Sequence, residues 1–133
     1  MISSVRVDTG TTTGGAGVST ANATSTHVVT GKILSIILEY KGSPPGTTDV
    51  VVATSGSNHP AITLLTVTNA ATDGMYLVRH KVVDEANVNI SYEATNAKDI
   101  YDSPAITDSI KVTVSQANDG DSVVATLVVE EGA

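Results

Sequence analysis

GKILSIILEYKGSPPGTTDVVVAT, residues 31–54, holds two strand-like runs joined by a connection rich in Gly, Ser and Pro. Side chains alternate along a strand, so Leu34, Ile36, Leu38 and Tyr40 are predicted on one face. Ile33, Ser35, Ile37, Glu39 and Lys41 are predicted on the other. The first face is wholly apolar and the second is mixed. Val50, Val51 and Val52 leave the returning run without a polar face. The stretch therefore predicts a long β-hairpin, either an ordinary central one or one whose second face meets another surface, such as a neighbouring subunit. Pro44 and Pro45 cannot donate to a ladder and restrict the residues before them, which makes the connection a stiff tip.

Composition extends this reading outward. Val, Ile and Thr make up 47 of the 133 residues, and these β-branched types suit a pleated surface better than a helix. Phe and Trp are absent, and Tyr40, Tyr76, Tyr92 and Tyr101 are the only aromatics. The expected fold class is all-β: one domain built as an antiparallel β-sandwich of about 7–9 strands. A net charge of -7 opposes phosphate backbones and anionic membranes, so neither nucleic acid nor membrane is an expected partner. Cysteine is absent, which removes disulfides and thiolate metal sites. No run has the length of a signal peptide's apolar core or of a membrane span, and the expectation is a soluble protein.

Along the chain, TGTTTGGAGVSTANATST at 9–26 has no charge and one large apolar residue, Val18. Residues 1–26 are therefore expected to form an extended low-complexity leader or docking arm, with Ser4–Val7 as a short strand. The β-sandwich domain is expected over 27–133. A second hairpin is predicted from Ile62 to Val83, turning at NAATDG. A short strand follows at Val88–Glu93. ATNAKDIYDSP, 94–104, reads as a long loop whose large apolar residues are Ile100 and Tyr101, and it is a second candidate contact surface. The alternations Ile110, Val112, Val114 and Val123, Ala125, Leu127, Val129 flank QANDGD and predict a closing hairpin.

Chemistry-bearing patterns are weak. His27, His59 and His80 lack metal-site spacing, His59 reads as a solvated loop residue, and Asn118, Asp119 and Asp121 lack the ligand series of a calcium loop. Ser55 and Ser57 sit in no nucleophile elbow. No catalytic residue, metal or cofactor is expected, and the chain reads as a non-enzyme.

The stretches 31–54, LTVTNAATDGMYLVRHKVVD at 65–84 and DSPAITDSIKVTVSQANDGDSVVATLVVEE at 102–131 resemble small structural proteins of tailed bacteriophages, in particular β-sandwich decoration or cement proteins. The resemblance lies in strands and turns and brings no catalytic residues. It implies synthesis in the host cytoplasm, a place on the capsid exterior, the major capsid protein as partner, and a homo-oligomer, with a trimer suggested by lattice symmetry. The candidate capsid or subunit contacts are Pro44, Pro45, Ile33, Ile37, Val18, Ile100 and Tyr101. Two other roles stay open: a tail, neck or other virion component, and a carbohydrate-binding or adhesive β-sandwich module.

Overall fold

A computed structural model describes residues 1–81, 86 and 101–131. Eleven strands are formed among them: β1 (Ile2–Asp8), β2 (Ser19–Thr24), β3 (Val29–Lys41), β4 (Asp49–Thr54), β5 (Thr63–Val67), β6 (Gly74–Leu77), β7 (His80–Lys81), β8 (Tyr101–Asp102), β9 (Ala105–Asp108), β10 (Ile110–Ala117) and β11 (Ser122–Glu130). One sheet runs β1–β11–β3–β6, with β9 beside the first part of β3. A second runs β2–β10–β4–β5, and β7 and β8 make a short ribbon. All pairings are antiparallel. The fold is the all-β antiparallel sandwich that composition predicts.

The two inward faces meet in one core. Ile33, Ile36, Leu38, Ala125 and Leu127 of the first sheet pack in the same cluster as Val50, Val52, Ile110, Val112 and Val114 of the second. Fully burying each branched side chain stabilises the fold by about 1.5–3 kcal/mol, so a core without Phe or Trp is sustained by the number of such residues.

Three expected hairpins are arches instead. β3 and β4 lie in different sheets, as do β5 and β6, and β10 and β11. Alternation in the sequence is satisfied equally by folding back beside the preceding strand or across the core from it. Here each of these chain segments crosses the core, and the ladders are closed by distant segments: β11 joins β1 to β3, and β10 joins β2 to β4. The exception is β4–β5, a hairpin within one sheet.

The register of β3 also departs from simple alternation. Val128 pairs with Ser35 but Val129 pairs with Ile33, so Leu34 is the extra residue of a β-bulge. A bulge shifts the side-chain phase by one position. Ile33 thereby joins Ile36 and Leu38 on the core face and is 0% exposed, while Leu34 is half-buried.

The expected N-terminal arm is part of the sandwich. β1 pairs with β11 along its whole length and contributes Val7 to the core. β2 pairs with β10, and Ala21 and Ala23 pack on the core cluster. Residues 1–24 thus supply an edge strand to each sheet, and a domain starting at residue 27 would lose both. The expected strand at Val88–Glu93 lies outside the described residues. The run expected from Met75 to Val83 is split, with β6 ending at Leu77 and β7 starting at His80.

Candidate functional site

Strand polarity sends four arches to one end of the sandwich: 9–18, 42–48, 68–73 and 118–121. Asp121, although charged, is buried there. Its carboxylate accepts from Ser43 N–H at 2.8 Å and Asn118 N–H at 2.9 Å. Asn118 in turn accepts from Gly17 N–H at 3.0 Å through Oδ1 and donates from Nδ2 to the Ser43 carbonyl at 3.1 Å. Thr12 N–H donates to the Asp121 carbonyl at 2.7 Å. Gly42 has φ +87°, and a Cβ there would collide with the Asp121 carboxylate, so both conformation and space require glycine. The QANDGD turn is therefore a clamp that joins three loops. It brings Val18, 70% exposed, to the same end as Pro44 and Pro45, which are half-buried. Pro44 and Pro45 thus sit against the body and do not form a freely projecting tip.

An apolar feature lies on the outer face of the first sheet. Register places Ser4, Val128, Ser35 and Leu77 in one row across β1, β11, β3 and β6, and Arg6, Thr126, Ile37 and Met75 in the next. Met75 and Leu77 are 65% and 62% exposed, and Ile37 and Val128 beside them are half-buried. Asp8 and Glu39 lie in the flanking row, and Lys32 and Glu130 pair at the other end of β3. An apolar patch with a charged rim on an open sheet face is the form of an interaction surface. Ile37 belongs to it, as sequence alternation predicts. Ile33 does not, because the Leu34 bulge turns it inward. Met75 and Leu77 were legible as the face opposite Tyr76 and Val78, but their exposure depends on which strands surround β6.

Tyr101 is 52% exposed and sits in the β7–β8 ribbon. Its neighbour Asp102 pairs with Lys32 at 3.4 Å. The Ser103 backbone N–H and the Lys32 ammonium hold the Asp102 carboxyl below its usual range. Ile100 lies outside the described residues.

Ser55, His59 and Asp108 come together between the β4–β5 loop and β9. Ser55 Oγ donates to Asp108 Oδ1 at 2.8 Å, and Gly56 N–H donates to Oδ2 at 2.8 Å. Asp108 is buried. Burial opposes its charge, but donation from Ser55, Ser109, Gly56 and Asn58 outweighs it, and its carboxyl is held below the usual range. His59 is half-buried, with Nδ1 on the Pro60 carbonyl at 2.9 Å and Thr107 N–H donating to Nε2 at 3.4 Å. Both ring nitrogens are engaged, and the serine bonds the aspartate directly, so no serine–histidine relay is assembled. The cluster ties the loop to β9, which corrects the reading of His59 as a solvated loop residue. Among the described residues no group of three or more His, Cys, Asp or Glu is placed to hold a metal ion.

The strand pairing defines a two-sheet antiparallel sandwich. No protein-family profile matches the chain, and no curated protein matches it. Among solved structures it is similar to one mutant of CBM29-2, a family 29 carbohydrate-binding module, at 12% identity and TM-score 0.41 over 91% of this chain and 69% of that one. A second family 29 module mutant has 12% identity and TM-score 0.42, covering 91% of this chain and 68% of that one. A further CBM29-2 mutant has 11% identity and TM-score 0.42, covering 97% and 82%. At these values the similarity stays at the level of strand architecture, and the assignment of the fold rests on the ladders described above.

Proposed function

We propose that this protein is a binding β-sandwich that docks on a protein surface through the outer face of its five-stranded sheet. The observation that carries the reading is the patch of Ile37, Met75, Leu77 and Val128, two of whose members are more than half exposed. Covering such side chains removes apolar area from water at roughly 25 cal/mol per Å². The resemblance in the sequence supplies the finer form of the proposal: the surface is an assembled bacteriophage shell, and the protein decorates its exterior. The net charge of -7 agrees with a position away from packaged nucleic acid.

Carbohydrate binding is the alternative, and it is the activity named for the similar solved structures. Surface chemistry separates the two. Sugar rings stack on exposed aromatic faces, and among the described residues Tyr101 is the exposed tyrosine, whereas Tyr40 and Tyr76 are half-buried. An aliphatic patch suits a protein partner better.

The test joins co-sedimentation with capsids of the phage or prophage that encodes the chain to a glycan array. The expected result is attachment to capsids that is lost in the Met75→Asp, Leu77→Asp double variant, with folding retained because both side chains are exposed. A genome with no major capsid gene beside this one would overturn the finer form. Glycan binding that survives the double variant would overturn the docking face itself.

A further inference from the structure

β1 is the edge of the first sheet opposite β6, and among the described residues it pairs with β11 alone. Its ladder has no register shift, and its sequence ISSVRVD has no proline to block a further strand. Thr9 N–H donates to Val123 O at 3.0 Å and Glu131 N–H to Met1 O at 2.8 Å. Antiparallel pairing alternates the direction of backbone groups, so the odd-numbered residues of β1 address β11. Ile2, Ser4, Arg6 and Asp8 direct their N–H and C=O groups to the open edge. Beside that edge lies a groove of about 420 Å³ between residues 3–6 and 25–29.

The charges on this edge are self-complementary. Arg6 has no carboxylate within ion-pair distance among the described residues. Asp8 is exposed and uses one carboxylate oxygen to accept from Gly10 N–H at 2.9 Å. Both side chains lie on the outer face, two positions apart on the same strand.

We propose that the chain self-associates by antiparallel β1–β1 pairing about a two-fold axis at Val7. This register sets Arg6 of each copy opposite Asp8 of the other, so that two ion pairs form at once, as a closed two-fold contact requires. Pairing about Val5 instead would overlap more residues but place Arg6 opposite Ser4, with no carboxylate directly across from it, whereas the diagonal Arg6–Arg6 approach is common to both registers. Charge therefore selects the Val7 register. The two-fold axis stands perpendicular to the sheet, which puts the outer faces of both copies on the same side. The dimer would present two apolar patches in one ten-stranded surface, and attachment of one would raise the effective concentration of the other. Self-association does not depend on what the outer face binds.

Sedimentation equilibrium of the full chain over a concentration series tests the proposal, with circular dichroism to monitor folding. Wild type is expected to dimerise, with the dimer weakening between about 0.05 and about 0.5 M salt as the Debye length shrinks. Arg6→Asp and Asp8→Arg are each expected to weaken the dimer about tenfold, and the doubly exchanged chain to recover to within about threefold of wild type. A wild-type chain that stays monomeric overturns the proposal. A dimer indifferent to salt and to the single reversals, or unrescued by the exchange, overturns it equally. Capsid attachment by a strictly monomeric chain would leave the proposed function standing and remove only the dimer.

Discussion

Ile33 and Ile37 are chemically identical and occupy the same face of β3 in a simple alternating strand, yet the fold makes them very different. Ile33 is 0% exposed and belongs to the central cluster, whereas Ile37 is half-buried on the outer face. Ile33→Ala removes buried methyl groups and leaves a cavity bounded by both sheets, at a cost of about 3–4 kcal/mol. Ile37→Ala strips partly hydrated surface and costs about 1 kcal/mol or less. The difference, roughly 2–3 kcal/mol, is large beside a typical domain stability of about 5–15 kcal/mol. For a chain of this length about 1 kcal/mol moves Tm by about 3–5 °C, so the two variants should melt about 6–15 °C apart. Urea unfolding followed by circular dichroism should show the gap as a shift of midpoint at unchanged slope. Equal losses, or a larger loss at Ile37, would refute the bulge at Leu34 and the register on which the outer face depends.

Two ionisable groups give further expectations. Burial, with Tyr76 and Asp73 nearby, pushes the Tyr40 hydroxyl up to about 12, and this hydroxyl is buried without a hydrogen-bond partner among the described residues. Ultraviolet titration of the phenols should show one late step, removed by Tyr40→Phe. The raised value means that Tyr40's contribution is complete below pH 10 and is lost as pH rises through about 12, so the Phe variant should better resist alkaline unfolding. It should be neutral at pH 7, because no hydrogen bond is removed. Asp108 shifts in the opposite direction, held low by its donors. Its contribution is present at neutral pH and is lost as pH falls below the ordinary carboxylate range. The gap in Tm between wild type and Asp108→Asn should therefore narrow in acid; a gap constant from pH 7 down to about 2 would refute the shift.

What the residues specify by themselves is local. β-branched composition, alternating apolar positions and Gly, Pro and Asp at the connections announce strands, an inward face and a sandwich, and Ile37 is legible as an apolar member of the second, mixed face. The partners of each strand were not legible. Periodicity encodes which way a side chain points, whereas a ladder is closed by backbone groups common to every residue, so β3–β4, β5–β6 and β10–β11 read as hairpins although they arch across the core. β2, STANAT, carries no large apolar side chain and is a strand because β10 offers an edge for it to join. One extra residue at Leu34 exchanges Ile33 from surface to core. Asp121 is a turn residue in sequence and a buried clamp in the fold, because only the packed arches bring Ser43, Asn118 and Thr12 around it. Side-chain pattern determined the layers; tertiary contacts between segments far apart in the chain decided how they are stitched and which apolar residues remain outside.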